Sequence, residues 1–215
     1  MRCSIAPAFR PSCISPGVMA DDTELLRRFS EGDESAFDSI VKLYHERVFQ
    51  FVYRVLSDFD DAADIAQETF IRAYDKLGQF KGRAGIYTWL YRIALNLSIN
   101  CLRKRKLRTM VGLDEAPPAA LKSSLGGPES DLDDSTTRGR IERAVAELPT
   151  RQRSIFILRQ YDGLSHGEIA SVVGTSEGAV RAGYFHAIRK LRNSLADLVE
   201  MDDSTVEGGL RADEM

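Results

Sequence analysis

Three groups of side chains in this 215-residue chain have the types and spacing to bind something. The first lies between Leu164 and Leu191. Ala170 is followed four positions later by Gly174 and ten later by Val180. A small residue, a glycine and a β-branched residue at that spacing let two short helices cross closely, as in a helix-turn-helix. On the second helix Val180, Tyr184, Ala187, Ile188 and Leu191 fall inward. Arg181, Ala182, Phe185, His186, Arg189 and Lys190 fall outward, with Ser176 and Glu177 leading in. Such a face enters a DNA major groove, or it is the solvated basic side of a helical hairpin.

The second group spans residues 81–108. Tyr87, Trp89 and Tyr91 cluster ahead of Arg92, Asn96, Asn100 and Arg103, a polar stripe at three- and four-residue steps, and Lys81 and Arg83 precede them. Rings that stack bases beside cations that hold phosphates are what single-stranded DNA requires. Packing of Trp89 into a core, with the arginines solvated, is the other reading. The third group is acidic: Asp61, Asp64 and Glu68 share a helical stripe with Gln67 beside it. It is a solvated face or a docking surface for a basic protein. No His or Cys accompanies it, so it does not read as a metal or acid–base site, and no metal or cofactor is expected. His45, His166 and His186 are scattered, and neither G-x-S-x-G nor H-E-x-x-H occurs, so no enzymatic activity is expected.

The elements that must position these groups read as helices throughout. Leu25, Leu26 and Phe29 begin a short one; Phe37 to Val55 carry a long apolar face. Asp58 or Asp60 N-caps a third helix bearing Ala62, Ile65, Ala66, Phe70 and Ala73, and a fourth runs from about Ile86 to Leu107. Residues 109–137 lose all periodicity among Pro117, Pro118, Gly126, Gly127 and Pro128, which predicts a flexible linker. Short helices follow at about 138–147, 151–160, 166–172 and 177–194, with a capping box in Ser165 and Glu168. The fold class is therefore all-α. A disordered extension is predicted over 1–21, one helical domain over 22–108, a helix-turn-helix domain over 138–196, and an acidic disordered tail over 197–215. Met19 opens the first well-capped stretch, and the eighteen residues before it are expected to be dispensable.

Net charge is −3, yet the charge is partitioned. Residues 21–80 hold seven basic and fourteen acidic side chains, and residues 81–108 eight basic and no acidic ones. Residues 109–137 hold one basic and six acidic, residues 138–196 ten and five, and residues 197–215 one and seven. Two basic blocks separated by acidic ones suit two contacts on a polyanion. Cys3, Cys13 and Cys101 form no C-x-x-C and cannot all pair, which fits a reduced, cytoplasmic setting, with Cys101 a half-buried structural thiol. No apolar run approaches the length of a membrane span, so no membrane insertion is expected.

The runs Asp-Ala-Ala-Asp-Ile-Ala-Gln-Glu-Thr-Phe (61–70), Tyr-Thr-Trp-Leu-Tyr-Arg-Ile-Ala-Leu-Asn (87–96), Leu-Pro-Thr-Arg-Gln-Arg (148–153) and Leu-Ser-His-Gly-Glu-Ile-Ala (164–170) occur in that order. Together they resemble the bacterial RNA polymerase sigma factors of the small extracytoplasmic-function type. The resemblance implies that Asp61, Asp64, Gln67 and Glu68 bind the clamp of core RNA polymerase. It implies that Lys81, Arg83, Tyr87, Trp89, Arg92, Asn96, Asn100 and Arg103 read and open the −10 element of promoter DNA. It further implies that Ser176, Glu177, Arg181, Ala182, Phe185, His186, Arg189 and Lys190 read the −35 element as duplex, near the polymerase flap. An anti-sigma factor and a stress-response role follow from the same resemblance. Ile86 and Arg83 depart from the family's frequent residues, as do Ala182, Gly183 and His186 in the recognition helix, where Gly183 leaves one DNA contact missing or moved, which points to a −35 sequence of the chain's own. The competing class is a stand-alone helix-turn-helix regulator, which needs a ligand or receiver domain that residues 22–107 do not suggest.

Overall fold

The computed structural model describes residues 18–80, 85–110 and 137–196, and its regular elements there are helical. They are α1 (Val18–Ser30), α2 (Ser35–Leu56), α3 (Phe59–Lys76, followed by a 3-10 turn Leu77–Gln79) and α4 (Ile86–Met110), then α5 (Thr137–Ala146), α6 (Thr150–Gln160), α7 (His166–Val173) and α8 (Glu177–Ser194). Lys81, Arg83, Cys3 and Cys13, the expected tail and most of the expected extension and linker lie outside the described residues.

Local chemistry sets the helix boundaries. Of the two candidate caps, Asp58 starts α3: its carboxylate accepts the Asp61 N–H at 2.9 Å. Ser165 and Glu168 form the reciprocal box at α7, and Ser176 accepts the Ala179 N–H at the start of α8. Each such cap contributes about 1 kcal/mol. Gly174 ends α7 with φ +69°, a left-handed conformation that costs glycine nothing. Two expected boundaries shift. Helix α1 begins at Val18, inside the predicted extension, where Met19 and Ala20 are strong helix formers. Helix α4 continues to Met110, and Thr109 donates its hydroxyl to the Arg105 carbonyl rather than leaving the helix.

Helices α1–α4 form one unit. Ile40, Tyr44, Val48, Phe51 and Val52 of α2 meet Ile65, Ala66 and Phe70 of α3 and Ile86, Leu90 and Ala94 of α4 in a dry core. The Phe51 and Tyr91 rings meet edge-on at 5.0 Å. Helix α1 is tied down where the buried Tyr44 hydroxyl donates to Asp22 at 2.7 Å; burial and that carboxylate hold the phenol well above its ordinary range. Helices α5–α8 form the second unit, in which Val145, Leu148, Phe156, Ala187 and Leu191 pack together.

The two units pack on each other, α7 against α4 and α6 against α2. Ile155, Leu158, Leu164 and Ile169 join the same core as Leu90 and Val52. Polar groups cross the seam as well. Tyr91 donates to Asp162 at 2.6 Å, Tyr87 donates to Glu168, and Arg153 donates to the Val55 carbonyl at 2.8 Å. The Arg54 guanidinium lies over the Tyr161 ring, 4.5 Å from its centre. Val55 lies in the last turn of α2, where a carbonyl has no partner within the helix, so Arg153 completes that end from the other unit.

Candidate nucleic-acid interface

Helix α8 presents the face its sequence spelled out. Val180, Ala187 and Leu191 are buried, whereas Arg181, Ala182, Phe185, His186, Arg189 and Lys190 are exposed, Phe185 at 62%. Arg181 is paired with Glu177 one turn back. An exposed pair of that kind contributes at most about 1 kcal/mol, so the guanidinium is available to a better acceptor. Gly183 belongs to the other side of the helix. A Cβ there would lie 2.8 Å from Cδ1 of Ile155, which is buried. The glycine lets α8 approach α6 and is not a missing DNA contact, because a side chain at this position points into the helix crossing.

Helix α4 is two-faced. Ile86, Leu90, Ala94 and Leu97 are buried while Arg92, Asn96, Asn100 and Arg103 form one exposed stripe. Trp89 is half-buried at the head of that stripe, its ring 5.2 Å from that of Phe80, so it joins a packing role to a partly open edge. Tyr87 does not join the stripe. It faces the second unit, and burial together with the Glu168 carboxylate pushes its phenol up to about 12. Ile86, at 1% exposed, is a core anchor.

On α3 the acidic stripe divides. Asp64 and Gln67 are exposed, and Glu68 is paired with Arg72 at 2.7 Å. Asp61 turns instead toward α4, where it pairs with Arg105 and accepts the Cys101 thiol at 3.0 Å. Arg105 also reaches Asp58 at 2.9 Å. Burial, then the Asp61 carboxylate, push the Cys101 thiol up to about 11, so it stays protonated as a hydrogen-bond donor. Beside Gln67 lies a groove of about 740 Å³ between α2 and α3, lined by His45, Phe49, Phe59, Ile71 and Tyr74 among others. Phe59, Ile71 and Tyr74 are 54%, 50% and 42% exposed. Sequence reasoning passed over them. Their signal is a second apolar stripe on α3, beyond the one the core requires. Among the described residues no group of His, Cys, Asp and Glu is arranged to hold a metal ion, and no helix is long and apolar enough to cross a membrane.

Comparisons with known proteins coincide with these two units. Residues 40–108 match the family described as sigma-70 region 2, and residues 138–191 match sigma-70 region 4. Over 185 residues the chain is 34% identical to the RNA polymerase sigma-H factor of Pseudomonas aeruginosa, covering 83% of this chain and 95% of that one. It is 32% identical to the extracytoplasmic-function sigma factor SigW of Bacillus subtilis, covering 80% and 96%. Among solved structures, the sigma factor RpoE of Bartonella quintana, crystallised with the anti-sigma factor NepR, aligns with TM-score 0.58 at 24% identity over 74% of this chain and 96% of that one. CnrH in complex with the cytosolic domain of CnrY aligns with TM-score 0.60 at 23% identity over 85% and 99%. Both alignments show a shared fold.

Two outcomes follow from this geometry. Gly183→Arg is expected to destabilise the chain by about 1–3 kcal/mol through overpacking against Ile155, with no gain in DNA affinity. Thermal melting and duplex binding of the variant check this; a stable variant with tighter binding contradicts it. Because the Cys101 thiol is raised from its ordinary range, its protonated form is favoured by folding, and that stabilisation fades as pH climbs through about 9 to 11. Alkylation of Cys101 by iodoacetamide, followed by peptide mass mapping at pH 8, is expected to be much slower in the native chain than in urea. Equal rates contradict the buried hydrogen bond.

Proposed function

The chain belongs to the extracytoplasmic-function sigma factors of the sigma-70 family, and from that premise we propose how its surfaces divide the work of promoter-specific transcription initiation. The first unit reads and opens the −10 element with the α4 stripe, Trp89, Arg92, Asn96, Asn100 and Arg103, together with Lys81 and Arg83, which precede it in the sequence. The second unit reads the −35 element as duplex with the outer face of α8, from Ser176 and Glu177 to Arg189 and Lys190. Unpaired bases need stacking surfaces and phosphates need cations, and α4 offers both without an acidic side chain anywhere along it. That two-faced helix is the observation that carries the reading.

Core polymerase binds through its clamp to Asp64, Gln67 and Glu68 and to the apolar groove of Phe59, Ile71 and Tyr74, while its flap receives the second unit. The groove supplies the buried area that a carboxylate stripe alone lacks. Asp61 holds α3 to α4 and contributes to docking by keeping the stripe in place. The chain acts in the cytoplasm, where it meets polymerase and chromosomal DNA. It contributes recognition and strand capture, and the bond-making chemistry belongs to the polymerase. An anti-sigma factor holds it in check between episodes of stress; of the solved structures aligned above, RpoE is in complex with the anti-sigma factor NepR and CnrH with the cytosolic domain of CnrY. A stand-alone regulator is not favoured, because residues 40–108 match sigma-70 region 2 and carry no ligand domain. Run-off transcription with core polymerase over genomic fragments tests the reading: discrete start sites that depend on the chain are expected, and their absence overturns it.

Asp64→Lys with Glu68→Lys is expected to weaken core binding about tenfold or more while melting stays unchanged. Asp61→Lys is expected instead to lower the melting temperature by roughly 2–4 °C, the effect of losing about 1 kcal/mol in a chain this size. Competition for core polymerase alongside calorimetry separates the two. On a −35 duplex library presented to the reconstituted holoenzyme, Arg181→Ala is expected to cost about 1–3 kcal/mol at one base position. Lys190→Ala is expected to weaken all sequences alike and reduce the salt slope by about 0.9. A uniform loss from Arg181→Ala makes Arg181 a phosphate clamp.

A further inference from the structure

We propose that the end of α4, residues 104–110, is a phosphate-gripping arm for duplex DNA, acting on the stretch that flanks the −10 element on its −35 side. The inference rests on the assignment of the α4 stripe to the −10 element. The buried part of α4 ends at Ser98. From Arg103 to Met110 every residue is exposed except Arg105, which Asp58 and Asp61 take up. Five of the six residues 103–108 are cations. Among the described residues Lys104, Lys106 and Arg108 meet no carboxylate, and Lys104 and Arg108 repel each other across one turn. The partial negative charge at a helix end favours cations in its last turn, which accounts for Arg108 and not for the two lysines. The arm is a helical end held out from the core, and its charge calls for a polyanion.

The placement of these cations selects duplex over single-stranded DNA. Leu107 and Met110 continue the line of Arg92, Asn96, Asn100 and Arg103 at steps of three and four residues. By helical period Lys104 and Arg108 fall on one side of that line and Lys106 on the other. A helix lying along a major groove turns its middle line to the bases and its two flanks to the phosphate walls. Leu107 and Met110, 62% and 75% exposed, offer the middle line no hydrogen bond, so base reading ends at Arg103 while both flanks continue to grip. Two phosphate walls exist in a duplex and not in a single strand. The rings able to stack unpaired bases are confined to the head of α4, at Tyr87, Trp89 and Tyr91, which again leaves paired DNA at its tail. Past Met110 the chain runs on toward the unit assigned to −35, which puts the gripped duplex on that side. Seven helical residues extend about 10 Å, the length of roughly three base-pair steps, enough for about three phosphate contacts.

The test uses the full chain reconstituted with core RNA polymerase, on promoter DNA carrying neutral methylphosphonate linkages in both strands of the three base-pair steps that flank the −10 element on its −35 side. The wild-type holoenzyme is expected to bind this DNA roughly tenfold or more weakly than the ordinary promoter. A variant combining Lys104→Gln, Lys106→Gln and Arg108→Gln, which keeps good helix formers at each position, is expected to show the same loss on the ordinary promoter and no further loss from the neutral linkages. Its dependence of log affinity on log salt is expected to be shallower by about 2.7, the slope of three phosphates. Base-pair substitutions within the flanking stretch are expected to leave wild-type binding unchanged. Indifference of the wild-type holoenzyme to the neutral linkages, or an unchanged salt slope in the variant, overturns the proposal. If the variant loses helix content, the wild-type comparison of the two DNAs decides alone. Permanganate reactivity of the −10 thymines separates the two readings: an opened element with indifference to the neutral linkages defeats the arm alone, and an unopened element with the wild-type chain defeats the assignment of α4 on which it rests.

Discussion

Everything in this structure depends on one helix being wet on one side and dry on the other. Helix α4 carries Arg92, Arg103, Lys104, Arg105, Lys106 and Arg108 with no acidic residue, and because burying an unpaired cation is costly, Arg92 turns to solvent opposite the covered face while Arg105 is taken up by Asp58 and Asp61. Helices α2 and α3 cover it as far as Ser98 with Phe51, Val52, Ile65 and Phe70, and α7 covers its start. Rotating α4 by half a turn would bury Arg92 and Asn96 and expose Leu90, Ala94 and Leu97, an error on the scale of the chain's whole stability. The register of α4 is thus fixed by apolar burial, and the polar stripe is its by-product. A core that is hard to deform presents soft, exchangeable contacts at a defined spacing.

The same economy governs the acidic residues. Asp58 caps α3 and receives Arg105, Asp61 receives Arg105 and Cys101, and Glu168 caps α7 while accepting from Tyr87. Carboxylates that look equivalent in the sequence are divided into those that hold helices together and those, Asp64 and Glu68, left at the surface. Asp64 can meet a basic partner without dismantling the fold, and Glu68 can do so by giving up its surface pair with Arg72.

Much of this was legible in the residues. The α8 faces follow from helical period alone: each residue assigned inward is buried or half-buried, and each assigned outward is exposed. The capping box at Ser165 and Glu168 and the turn at Gly174 were written in side-chain chemistry that acts within a few residues. What escaped needed the third dimension. That Gly183 serves the crossing with Ile155 depends on how closely α6 lies to α8. That Asp61 belongs to Arg105 and Cys101 depends on where α4 lies relative to α3, some forty residues away in sequence. That the two units pack on each other depends on the complementarity of Tyr91 with Asp162 and of Arg153 with the end of α2, which composition does not register.

The most direct measurement is opening of the −10 element by the reconstituted holoenzyme, read by permanganate reactivity of its thymines, with Arg92→Ala and Asn100→Ala combined in one variant and set beside the wild-type chain. Loss of opening by about tenfold or more with thermal melting unchanged is the predicted result, because both side chains lie on the exposed face of α4 and away from the core. Opening at the wild-type level would contradict it.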